Sequence, residues 1–328
     1  MITKRQRIRA ALDGHYLDRL PVACWQHFAY ADGDAPTQIE SLVSYQERYD
    51  WDMVKLMFRS NFLGGDWGVV NSDYEPVLGY LLTERYAVQR TDDWLNLRVL
   101  SPEEGLLGEM IEVTRGVRAR CGEDLYLLAT AFTPIMVASQ LSGQPQIQRD
   151  MAQSPEAVHA ALEVITETLI AFVGACYDAG ADGLFFADET AGAGRLTREQ
   201  YAVYGHPYNK RVLDALSGAS DFTMFHVCGQ SVYLDEFLDY SVEALNWDHT
   251  LDNPSLAEVR HLTGKCLIGG MDKMGVLWKG SPEDVIAEAR AAVGAAGREG
   301  MILAPGCGVP YTCPEENLRA MRDACDAL

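Results

Sequence analysis

The sequence contains few basic residues for its length. Its 328 residues include 27 lysines and arginines against 47 aspartates and glutamates, so the formal net charge is −20. An acidic surface repels the phosphates of nucleic acids and the anionic headgroups of lipids. We therefore expect no nucleic-acid partner and no membrane partner.

The sequence also lacks an apolar run of the roughly 20 residues that a membrane-spanning helix needs. Residues 1–14, MITKRQRIRAALDG, are basic but contain no apolar core of a signal peptide. They predict a short helix that has Thr3 as its N-cap and ends at Gly14. The expected location is the cytoplasm.

The cysteines do not follow the spacing of a disulfide framework. They lie at positions 24, 121, 176, 228, 266, 307, 313 and 325. In a reducing compartment they are expected to be free thiols, and most of them to be small apolar residues of the core. Cys176, on the apolar face of a predicted helix, is typical of that group.

What the sequence does contain is a series of short apolar runs, most of them separated by helical patterns. Eight runs occupy residues 19–27, 52–58, 125–131, 183–188, 222–228, 243–248, 266–270 and 301–306. Apolar strands that alternate with amphipathic helices indicate a parallel sheet covered by helices. Eight such units predict an α/β fold, a closed (β/α)8 barrel of the TIM type, in which residues 1–328 form a single domain.

One stretch interrupts this alternation. Residues 59–124 are too long for a single crossover between strands. Residues 79–100 alternate like an antiparallel meander, and residues 101–121 have a helical pattern. We expect a β-rich insertion after the second strand, on the rim of the barrel and not a separate domain.

The fifth apolar run carries a His-x-Cys pair. In FTMFHVCGQ, His226 and Cys228 are two residues apart, so on a strand they project from the same face with Cα atoms about 6.6 to 6.8 Å apart. Gly229 follows and indicates the C-terminal end of the strand. Catalytic residues lie at this end of the strands in α/β barrels.

A third ligand is predicted just past the last strand. Cys307 lies between two glycines in APGCGVPYTCP, where the backbone is able to turn closely around a site, and Cys313 is a weaker candidate. Two thiolates and one imidazole, with a fourth position open, are typical of catalytic zinc. The alternative is two unrelated core thiols and a hydrogen-bonded histidine.

These residues carry a resemblance to a known family. The chain resembles the uroporphyrinogen decarboxylase superfamily over nearly its whole length and, within it, the zinc-dependent cobalamin:coenzyme M methyltransferase branch. The similar segments are RQRIRAALDGHYLDRLPV, ADGLFFADETAGAGRLTREQY, HVCG, GGMDKMGVL and APGCGVPYTCPEENLRAM. The resemblance implies a (β/α)8 barrel in which His226, Cys228 and Cys307 bind Zn²⁺.

The resemblance also implies a reaction. A zinc-dependent methyltransferase of this type moves a methyl group from a corrinoid (methylcobamide) protein to a thiol or similar acceptor, through a zinc-bound thiolate. The sequence has no Asp-x-His-x-x-Gly motif of a cobalamin domain. The methylated corrinoid is therefore expected on a separate partner protein, with a small thiol as the other substrate.

Three other functions are alternatives. The first is metal-independent decarboxylation of tetrapyrroles, although residues 24–36, CWQHFAYADGDAP, lack the arginine with which the family's decarboxylases bind carboxylates. The second is a barrel that binds a corrinoid or tetrapyrrole without catalysis. The third is zinc-dependent hydrolysis, with Asp188 or Asp248 as the base.

Acidic residues at other strand ends are candidate catalytic residues. Asp188, with Glu189 as a weaker candidate, is predicted to bind a substrate amine, accept a hydrogen bond or occupy the open position of zinc; the alternative is the start of a solvated loop. Asp248 and His249 are predicted to orient a ligand or accept the proton of the thiol, and the alternative is a cap of the next turn. Asp272, in GGMDK, is assigned a turn that resembles the family's.

Aromatic residues around the predicted opening are candidates for cofactor binding. Trp25 and His27 share one face of the first run, and Tyr204 follows the fourth strand. Together they are predicted to line a corrinoid or substrate pocket, as are Lys55 and Met57 on the second run. Packing in the core is the alternative for each of them.

Overall fold

Seven parallel strands form the central sheet of the computed structural model, which describes residues 2–220 and 222–328. Over the described residues the strands are β1 (Met53–Lys55), β2 (Val70–Tyr74), β3 (Leu81–Arg85), β4 (Tyr126–Phe132), β5 (Gly183–Asp188), β6 (Thr223–Val227), β7 (Ala244–Trp247), β8 (Cys266–Met271) and β9 (Met301–Pro305). The parallel sheet has the order β1-β4-β5-β6-β7-β8-β9. Seven of the eight apolar runs are therefore strands, as predicted.

Helices cover this sheet. They are α1 (Lys4–Leu12), α2 (Ala35–Tyr49), α3 (Phe62–Gly65), α4 (Gly105–Cys121), α5 (Pro134–Ser142), α6 (Gln144–Gln153), α7 (Pro155–Asp178), α8 (Arg198–Tyr204), α9 (His206–Ala215), α10 (Leu256–Leu262), α11 (Val276–Lys279), α12 (Pro282–Ala296) and α13 (Glu315–Ala324), with 3₁₀ helices at Thr91–Asn96 and Leu234–Phe237. The predicted first helix is confirmed, since the Thr3 hydroxyl accepts a hydrogen bond from the amide of Gln6. The α/β class predicted from the alternation is confirmed.

The first apolar run does not form a regular strand. Within residues 19–27, Val22 bridges Leu303 of β9 in parallel, and the Leu303 amide donates to the carbonyl of Pro21 over 2.9 Å. The amide of Asp52, next to β1, donates to the Val22 carbonyl over 2.9 Å. One segment thus contacts both edges of the sheet, so the sheet is curled. Regular pairing fails because proline has no N–H and the Val22 amide donates to the Asp52 carboxylate.

A buried ion-pair network holds this first segment against β1. The carboxylate of Asp52 is fully buried and accepts hydrogen bonds from Arg7 and Arg19, each over 2.7 Å. A buried carboxylate with two guanidinium partners is stable in place, whereas removal of either side leaves uncompensated charge at a cost of about 3 to 5 kcal/mol. The network fixes the path of the chain toward Trp25.

Residues 59–124 contain α3, an antiparallel hairpin of β2 and β3, a 3₁₀ helix and α4. The predicted helix at 101–121 is confirmed by α4, but the predicted meander at 79–100 is mostly wrong. Only Leu81–Arg85 is a strand there, and the acidic run that follows forms the 3₁₀ helix Thr91–Asn96. The amides of Gln89 and Arg90 both donate to the Asp93 carboxylate, which favours a helical start over an extended strand.

The helix α7 is the longest helix of the described residues, and it is strongly apolar. By length and composition alone it is the one helix of the described chain that is able to cross a membrane, and half of its apolar window is buried inside the protein. Its buried stripe includes Ile165, Leu169 and Phe172, and the helix packs against α4, α5, α6 and α9. This burial is typical of a helix in a protein core.

Candidate metal centre and its cavity

Three side chains from two strand ends meet at one edge of the sheet. His226 lies on β6, Cys228 follows β6, and Cys307 follows β9, and one ligand atom from each lies within 4.8 Å of the others. The two sulfur atoms are 3.8 Å apart. Zn–S bonds of about 2.3 Å at tetrahedral angles require sulfur atoms about 3.8 Å apart. The sulfur spacing therefore suits two ligands of one zinc ion, and an imidazole nitrogen of His226 lies within 4.8 Å of both sulfur atoms.

The strand pairing explains why these residues meet. The amide of Cys228 donates to the carbonyl of Asp188 over 2.8 Å, so the chain remains paired with β5 past the end of β6. At the end of β9, a Cβ atom on Gly306 would lie 2.5 Å from the Cα of Asp248 and 2.8 Å from the carbonyl oxygen of Trp247. Only glycine allows β9 to approach β7 this closely, and that approach brings Cys307 to the centre.

Asn246 orients the histidine of the centre. Its side-chain oxygen lies 2.6 Å from Nδ1 of His226, and its side-chain nitrogen donates to the carbonyls of Ile268 at 2.7 Å and Pro305 at 3.2 Å. Because the amide nitrogen is committed to those carbonyls, the oxygen accepts from Nδ1–H of the imidazole. Nε2 is then left with its lone pair for a metal, as in most zinc–histidine sites.

Sequence reasoning missed Asn246. The signal was present, since Asn246 is the one amide side chain in the apolar run EALNWD and lies opposite His226 in the parallel register of β6 and β7. Its side chain is fully buried. Buried polar side chains need partners, so a buried asparagine in an apolar strand indicates a specific hydrogen-bonding role.

Lys273 is a second residue that sequence reasoning missed. Its side chain is only 11% exposed, and Nζ lies 3.9 Å from the carboxylate of Asp248. Burial by itself lowers the pKa of Lys273, but the sulfur atoms of Cys307 and Cys228 and the Asp248 carboxylate together raise it above its ordinary value. Lys273 is therefore a buried cation beside the two thiols.

The two thiols are in hydrogen-bonding contact, with their sulfur atoms 3.8 Å apart. The hydrogen bond from Cys228 lowers the pKa of Cys307 well below its ordinary value, and it raises the pKa of Cys228. The nearby Lys273 lowers the pKa of Cys307 further. A thiolate is thus favoured at Cys307, and thiolate is the form that binds a metal.

Asp188 is placed at the cavity wall but not in the group of three ligands. One carboxylate oxygen accepts from the amide and the hydroxyl of Thr190, each over 2.6 Å, and the other accepts from the hydroxyl of Tyr201 over 2.7 Å. Both oxygens are thus already hydrogen-bonded. The neighbouring Glu189 is half-buried; burial raises its pKa and Arg195 lowers it.

Asp248 and His249 are adjacent in sequence, but only Asp248 is linked to the ligand group. One oxygen of Asp248 accepts from the hydroxyl of Thr250 over 2.6 Å, and the other faces Lys273, which links Asp248 to the centre. His249 is absent from the cavity lining, and its buried Nδ1 has no hydrogen-bond partner in the described structure. Burial lowers the pKa of His249, against the opposite effect of the nearby Asp248 and Asp272 carboxylates.

The ligand group opens into a large cavity. Its volume is about 870 Å³, and its walls come from β1, β4, β5, the β2–β3 hairpin and residues 139–145. Trp25 and His27 line it, as predicted, and Trp25 packs edge-on against Phe185 with ring centroids 5.7 Å apart. Burial, with the nearby Lys55, lowers the pKa of His27 to about 3.

Tyr204, the third predicted cofactor residue, is not part of this lining. Its hydroxyl donates to the carbonyl of Met151 over 3.0 Å, and its ring stacks on His159 with centroids 4.8 Å apart. It belongs to the packing between α8 and the helices α6 and α7. The structure thus separates Tyr204 from Trp25 and His27.

Lys55 is a buried cation in the wall of the cavity. Its Nζ lies 4.5 Å from the ring centroid of Phe185 and 3.0 Å from Sδ of Met57, and no carboxylate of the described residues pairs with it within 4.0 Å. Burial lowers the pKa of Lys55 to about 7.

The lining of the cavity contains four basic side chains and two acidic side chains. The cations are Lys55, Arg59, Arg195 and Lys273, and the acids are Asp188 and Glu189.

The remaining six cysteines lie outside the ligand group. All eight are free thiols, and Cys176 is fully buried with its pKa raised to about 12 by burial, as its predicted role in the core requires. Cys313, the weaker ligand candidate, donates through Sγ to the carbonyl of Leu277 over 3.0 Å. It is not part of the ligand group.

Comparison with known sequences gives consistent relatives. The model of the uroporphyrinogen decarboxylase (URO-D) family matches residues 43–328. A methylcobamide:CoM methyltransferase MtbA of Methanosarcina acetivorans is 24% identical, with 97% of this chain and 96% of that protein aligned. A uroporphyrinogen decarboxylase of Crocosphaera subtropica is 29% identical over 68% of this chain and 64% of its own length. Methyltransferase is the class of enzyme that sequence reasoning predicted.

Solved structures show the same fold. A methyltransferase from Methanosarcina mazei superposes with a TM-score of 0.87 at 20% identity and covers 100% of this chain and 99% of its own. A B12-independent methionine synthase from Shewanella superposes with a TM-score of 0.61 at 14% identity over 93% and 94% of the two chains. With the sequence relatives, these comparisons confirm the resemblance to the superfamily and to its methyltransferase branch.

Proposed function

We propose a methyl-transfer function for this chain, which belongs to the uroporphyrinogen decarboxylase (URO-D) family. The methyl group moves from a methylated corrinoid protein to a small thiol held at a zinc ion. The observation that carries the proposal is the group of His226, Cys228 and Cys307, with ligand atoms within 4.8 Å of one another and the imidazole oriented by Asn246. Relatives named methylcobamide:CoM methyltransferases support the donor and the acceptor class.

The donor set suits a catalytic zinc. Two thiolates and a neutral imidazole cancel the charge of Zn²⁺ and leave a fourth position open to the cavity. Bound zinc lowers the pKa of an acceptor thiol, so that the thiol is present as thiolate near neutral pH. The chain's own residues fix the ligands: Asn246 holds the imidazole, and Gly306 allows Cys307 to reach it.

The transfer balances without a further reactant. The acceptor thiol gives its proton to solvent when it binds. An electron pair of the sulfur forms the new S–C bond while the Co–C bond breaks, and both electrons of that bond remain on cobalt as Co(I). The products are a neutral thioether and the demethylated corrinoid. The protein contributes by holding the sulfur in position and excluding water.

The cavity supports a corrinoid partner. Its volume of about 870 Å³ greatly exceeds the volume of a small thiol. Trp25, His27 and residues of the hairpin line it together with the ligand group. We assign these residues to the approach of the corrinoid. The first segment, bonded to both sheet edges, would serve as the eighth strand of a (β/α)8 barrel with residues 59–124 as its insertion. The free thiols favour a cytoplasmic location.

The cationic lining indicates an acceptor with a negatively charged tail. Lys55 is buried without a carboxylate partner, and Arg59 and Arg195 line the same cavity. A buried unpaired ammonium is costly, and an anionic ligand group would remove that cost. Coenzyme M, named in the relatives, is the thiol to test first.

One observation also favours a second candidate, the metal-independent decarboxylation of a tetrapyrrole. Four cations around a large cavity suit a substrate with several carboxylates. Two cysteines and an oriented histidine at one point have no role in that reaction, however, so methyl transfer explains more of the site. Hydrolysis with Asp188 as base is disfavoured by the hydrogen bonds that both oxygens of Asp188 already accept.

Metal analysis of the purified protein tests the proposal. We expect about one zinc per chain in the wild type and a loss of zinc in His226→Ala and Cys307→Ser, because each removes one of three ligands. Cys313→Ser is the matched control and should retain zinc. The wild type should also demethylate methylcobalamin in the presence of coenzyme M. Equally low zinc in all four proteins, or decarboxylation of uroporphyrinogen that Cys307→Ser leaves intact, would contradict the proposal.

A further inference from the structure

We infer that Lys273 supplies the positive charge that stabilises the acceptor thiolate beside His226, Cys228 and Cys307. The inference rests on the proposed function and extends it, because it assigns the charge balance of the loaded site to a residue outside the ligand set. It depends on the position of the Lys273 ammonium group and on the net charge of the site when metal and thiolate are bound.

The fold places Lys273 at the same edge of the sheet as the ligands. It is the second residue after β8, which pairs with β9, and Cys307 is the second residue after β9. The Lys273 side chain lines the cavity together with His226, Cys228 and Cys307. The Lys273 side chain is 11% exposed, and its Nζ lies 3.9 Å from the carboxylate of Asp248, which follows β7 at the same edge.

The turn that carries Lys273 is rigid. The carboxylate of Asp272 accepts from the amides of Met274 at 3.0 Å and Gly275 at 2.9 Å, and the Asp272 amide donates to Glu288 over 3.1 Å. A Cβ atom on Gly275 would lie 2.2 Å from the Asp272 carboxylate, so the turn requires glycine there. This explains Asp272, which sequence reasoning assigned to a turn: it fixes the backbone from which Lys273 extends.

Lys273 and Lys55 differ although they line one cavity. Lys55 has no carboxylate within 4.0 Å among the described residues, and burial lowers its pKa to about 7. Lys273 has the Asp248 carboxylate beside it, and a nearby opposite charge favours the ammonium form. Its contact with Asp248 is loose, since 3.9 Å exceeds hydrogen-bonding distance and Thr250 donates to the other oxygen of that carboxylate.

The charges at the site can be counted. Zinc with two thiolates and a neutral imidazole sums to zero, and Asp248 and Lys273 cancel each other. An acceptor thiolate then adds one negative charge in a buried place. Without Lys273 the sum would be two negative charges, a state that a low-dielectric site disfavours strongly.

The same charge count distinguishes the bound substrate from the bound product. Methyl transfer converts the thiolate into a neutral thioether, so the attraction to Lys273 is lost in the product. Lys273 therefore favours the thiolate over the thioether as the occupant of the site, which promotes substrate binding and product release. The residue acts on the acceptor sulfur through charge and does not bind the metal.

The experiment measures thiol binding without turnover. Cobalt(II)-substituted wild type, Lys273→Met and Lys273→Arg are titrated with 2-mercaptoethanol between pH 5.5 and 9, and the sulfur-to-cobalt absorbance reports thiolate binding. 2-Mercaptoethanol is used because its neutral tail makes no ion pair. Arg195→Gln, which removes a cation from the same cavity, is the matched control.

We expect Lys273→Met to move the pH midpoint of thiolate binding upward by at least one unit and to weaken binding at pH 7 about tenfold or more. Lys273→Arg and Arg195→Gln should stay within about threefold of the wild type. Cobalt affinity should be unchanged or tighter in Lys273→Met, because a cation leaves and no ligand is lost. Circular dichroism of each variant checks that it is folded, and Lys273→Gln replaces Lys273→Met if that variant is not.

The outcomes separate the two claims. If the wild type binds no cobalt or no thiol, the proposed function fails. If the wild type binds thiol and folded Lys273→Met or Lys273→Gln has the same pH midpoint, the proposed function stands and the role of Lys273 is overturned. A tenfold loss of cobalt affinity in a folded Lys273 variant also overturns it, because Lys273 would then support the ligands and not the acceptor.

Discussion

The two ends of the cavity are built in different ways. At the metal end, His226 lies on a buried strand and its ring is held by Asn246, whose own amide is bonded to two strand carbonyls. At the far end the hairpin exposes apolar side chains, with Tyr80 at 39%, Leu82 at 39% and Tyr86 at 41%. The candidate ligands thus lie at the ends of buried strands, whereas the exposed apolar side chains lie on and beside a hairpin.

The hairpin end is also less regular. The pairing of β2 and β3 shifts register twice between Val70 and Tyr74. Nearby, Tyr30 adopts a φ of 65°, is 70% exposed and contacts the Tyr74 ring with centroids 4.5 Å apart. A bulky residue in the left-handed region is strained, and such strain often occurs at functional surfaces. The comparison predicts that substitutions at the metal end abolish metal binding, whereas those at the hairpin end alter only contacts with substrates.

The largest effect is expected for Gly306→Ala. Its new Cβ would overlap the Asp248 backbone at 2.5 Å, so β9 must move away from β7 and carry Cys307 out of the centre. We expect zinc affinity to fall more than about a hundredfold and the free energy of unfolding to fall by about 1 to 3 kcal/mol. Both are measured by competition with a chelator and by urea denaturation.

Gly308→Ala is the matched control on the other side of Cys307. Its new Cβ would meet Met57 at 3.6 Å and Trp25 at 3.7 Å, which are ordinary contact distances. We expect zinc affinity and stability close to the wild type. Equal losses in both variants would show that the Gly-Cys-Gly segment is generally intolerant and that the approach of β9 to β7 is not what positions Cys307.

The next largest effect is expected for Asn246→Leu. The substitution removes the acceptor of the His226 Nδ1–H, and loss of such a partner costs about 10- to 100-fold in metal affinity. Asn317→Leu is the control, since Asn317 is also fully buried and donates to two backbone carbonyls, but does not line the cavity. We expect both variants to lose stability and only Asn246→Leu to lose zinc affinity. A similar zinc affinity in the two variants would remove the orienting role of Asn246.

A smaller effect, with a defined pH dependence, is expected for Lys55→Met. The folded pKa of Lys55 is about 7, below its ordinary value of 10.5, so the unfolded chain binds more protons between these two pH values. The cost of burying Lys55 is therefore fully present below pH 7 and decreases as pH rises toward 10.5. Lys55→Met should be more stable than the wild type by about 0.5 to 2 kcal/mol at pH 7 and by less at pH 10.

The same variant should bind an anionic thiol less well. We expect the KM for coenzyme M to rise about tenfold, while the KM for 2-mercaptoethanol changes little, because only coenzyme M has an anionic tail. Steady-state kinetics with both thiols measure this. Two results would contradict the role of Lys55 as a partner of the acceptor's tail. One is a wild type that is more stable than Lys55→Met at pH 7, and the other is an equal change of KM for coenzyme M and 2-mercaptoethanol.

The smallest effect is expected at the hairpin. Leu82→Ser removes an apolar side chain that lines the cavity and is 39% exposed. We expect zinc affinity and thiol affinity to be unchanged and the KM for methylcobalamin or a corrinoid protein to rise about threefold, since a few tens of Å² of apolar contact are worth on the order of 1 kcal/mol. A loss of zinc in this variant would show that the hairpin also supports metal binding, contrary to the proposed difference between the two ends of the cavity.

The metal end was predictable because its signals are local and periodic. His226 and Cys228 follow the two-residue period of a strand, and a glycine-flanked Cys307 follows another strand, so parallel pairing alone brings all three to one edge. Asn246 and Lys273 were missed because their roles depend on which strand lies beside which. Asn246 lies opposite His226 in the register of β6 and β7, and a turn after β8 brings Lys273 into the same cavity lining as Cys307.

The hairpin end was predicted poorly for a physical reason. The alternation at 79–100 suggested strands, but Asp93 accepts hydrogen bonds from two backbone amides and begins a 3₁₀ helix. Local side-chain to backbone bonds override a weak alternation. Tyr204 was likewise assigned to a pocket from its place after a strand, and its ring instead stacks on His159 of α7.

X-ray absorption at the zinc edge, with and without coenzyme M, is the decisive measurement of whether the acceptor thiol binds at the zinc. We expect two sulfur ligands at about 2.3 Å in the resting protein, with the remaining positions filled by nitrogen or oxygen, and three sulfur ligands after the thiol is added. The proposed function would be contradicted if the number of sulfur ligands did not change on addition of the thiol, or if zinc were bound without sulfur ligands.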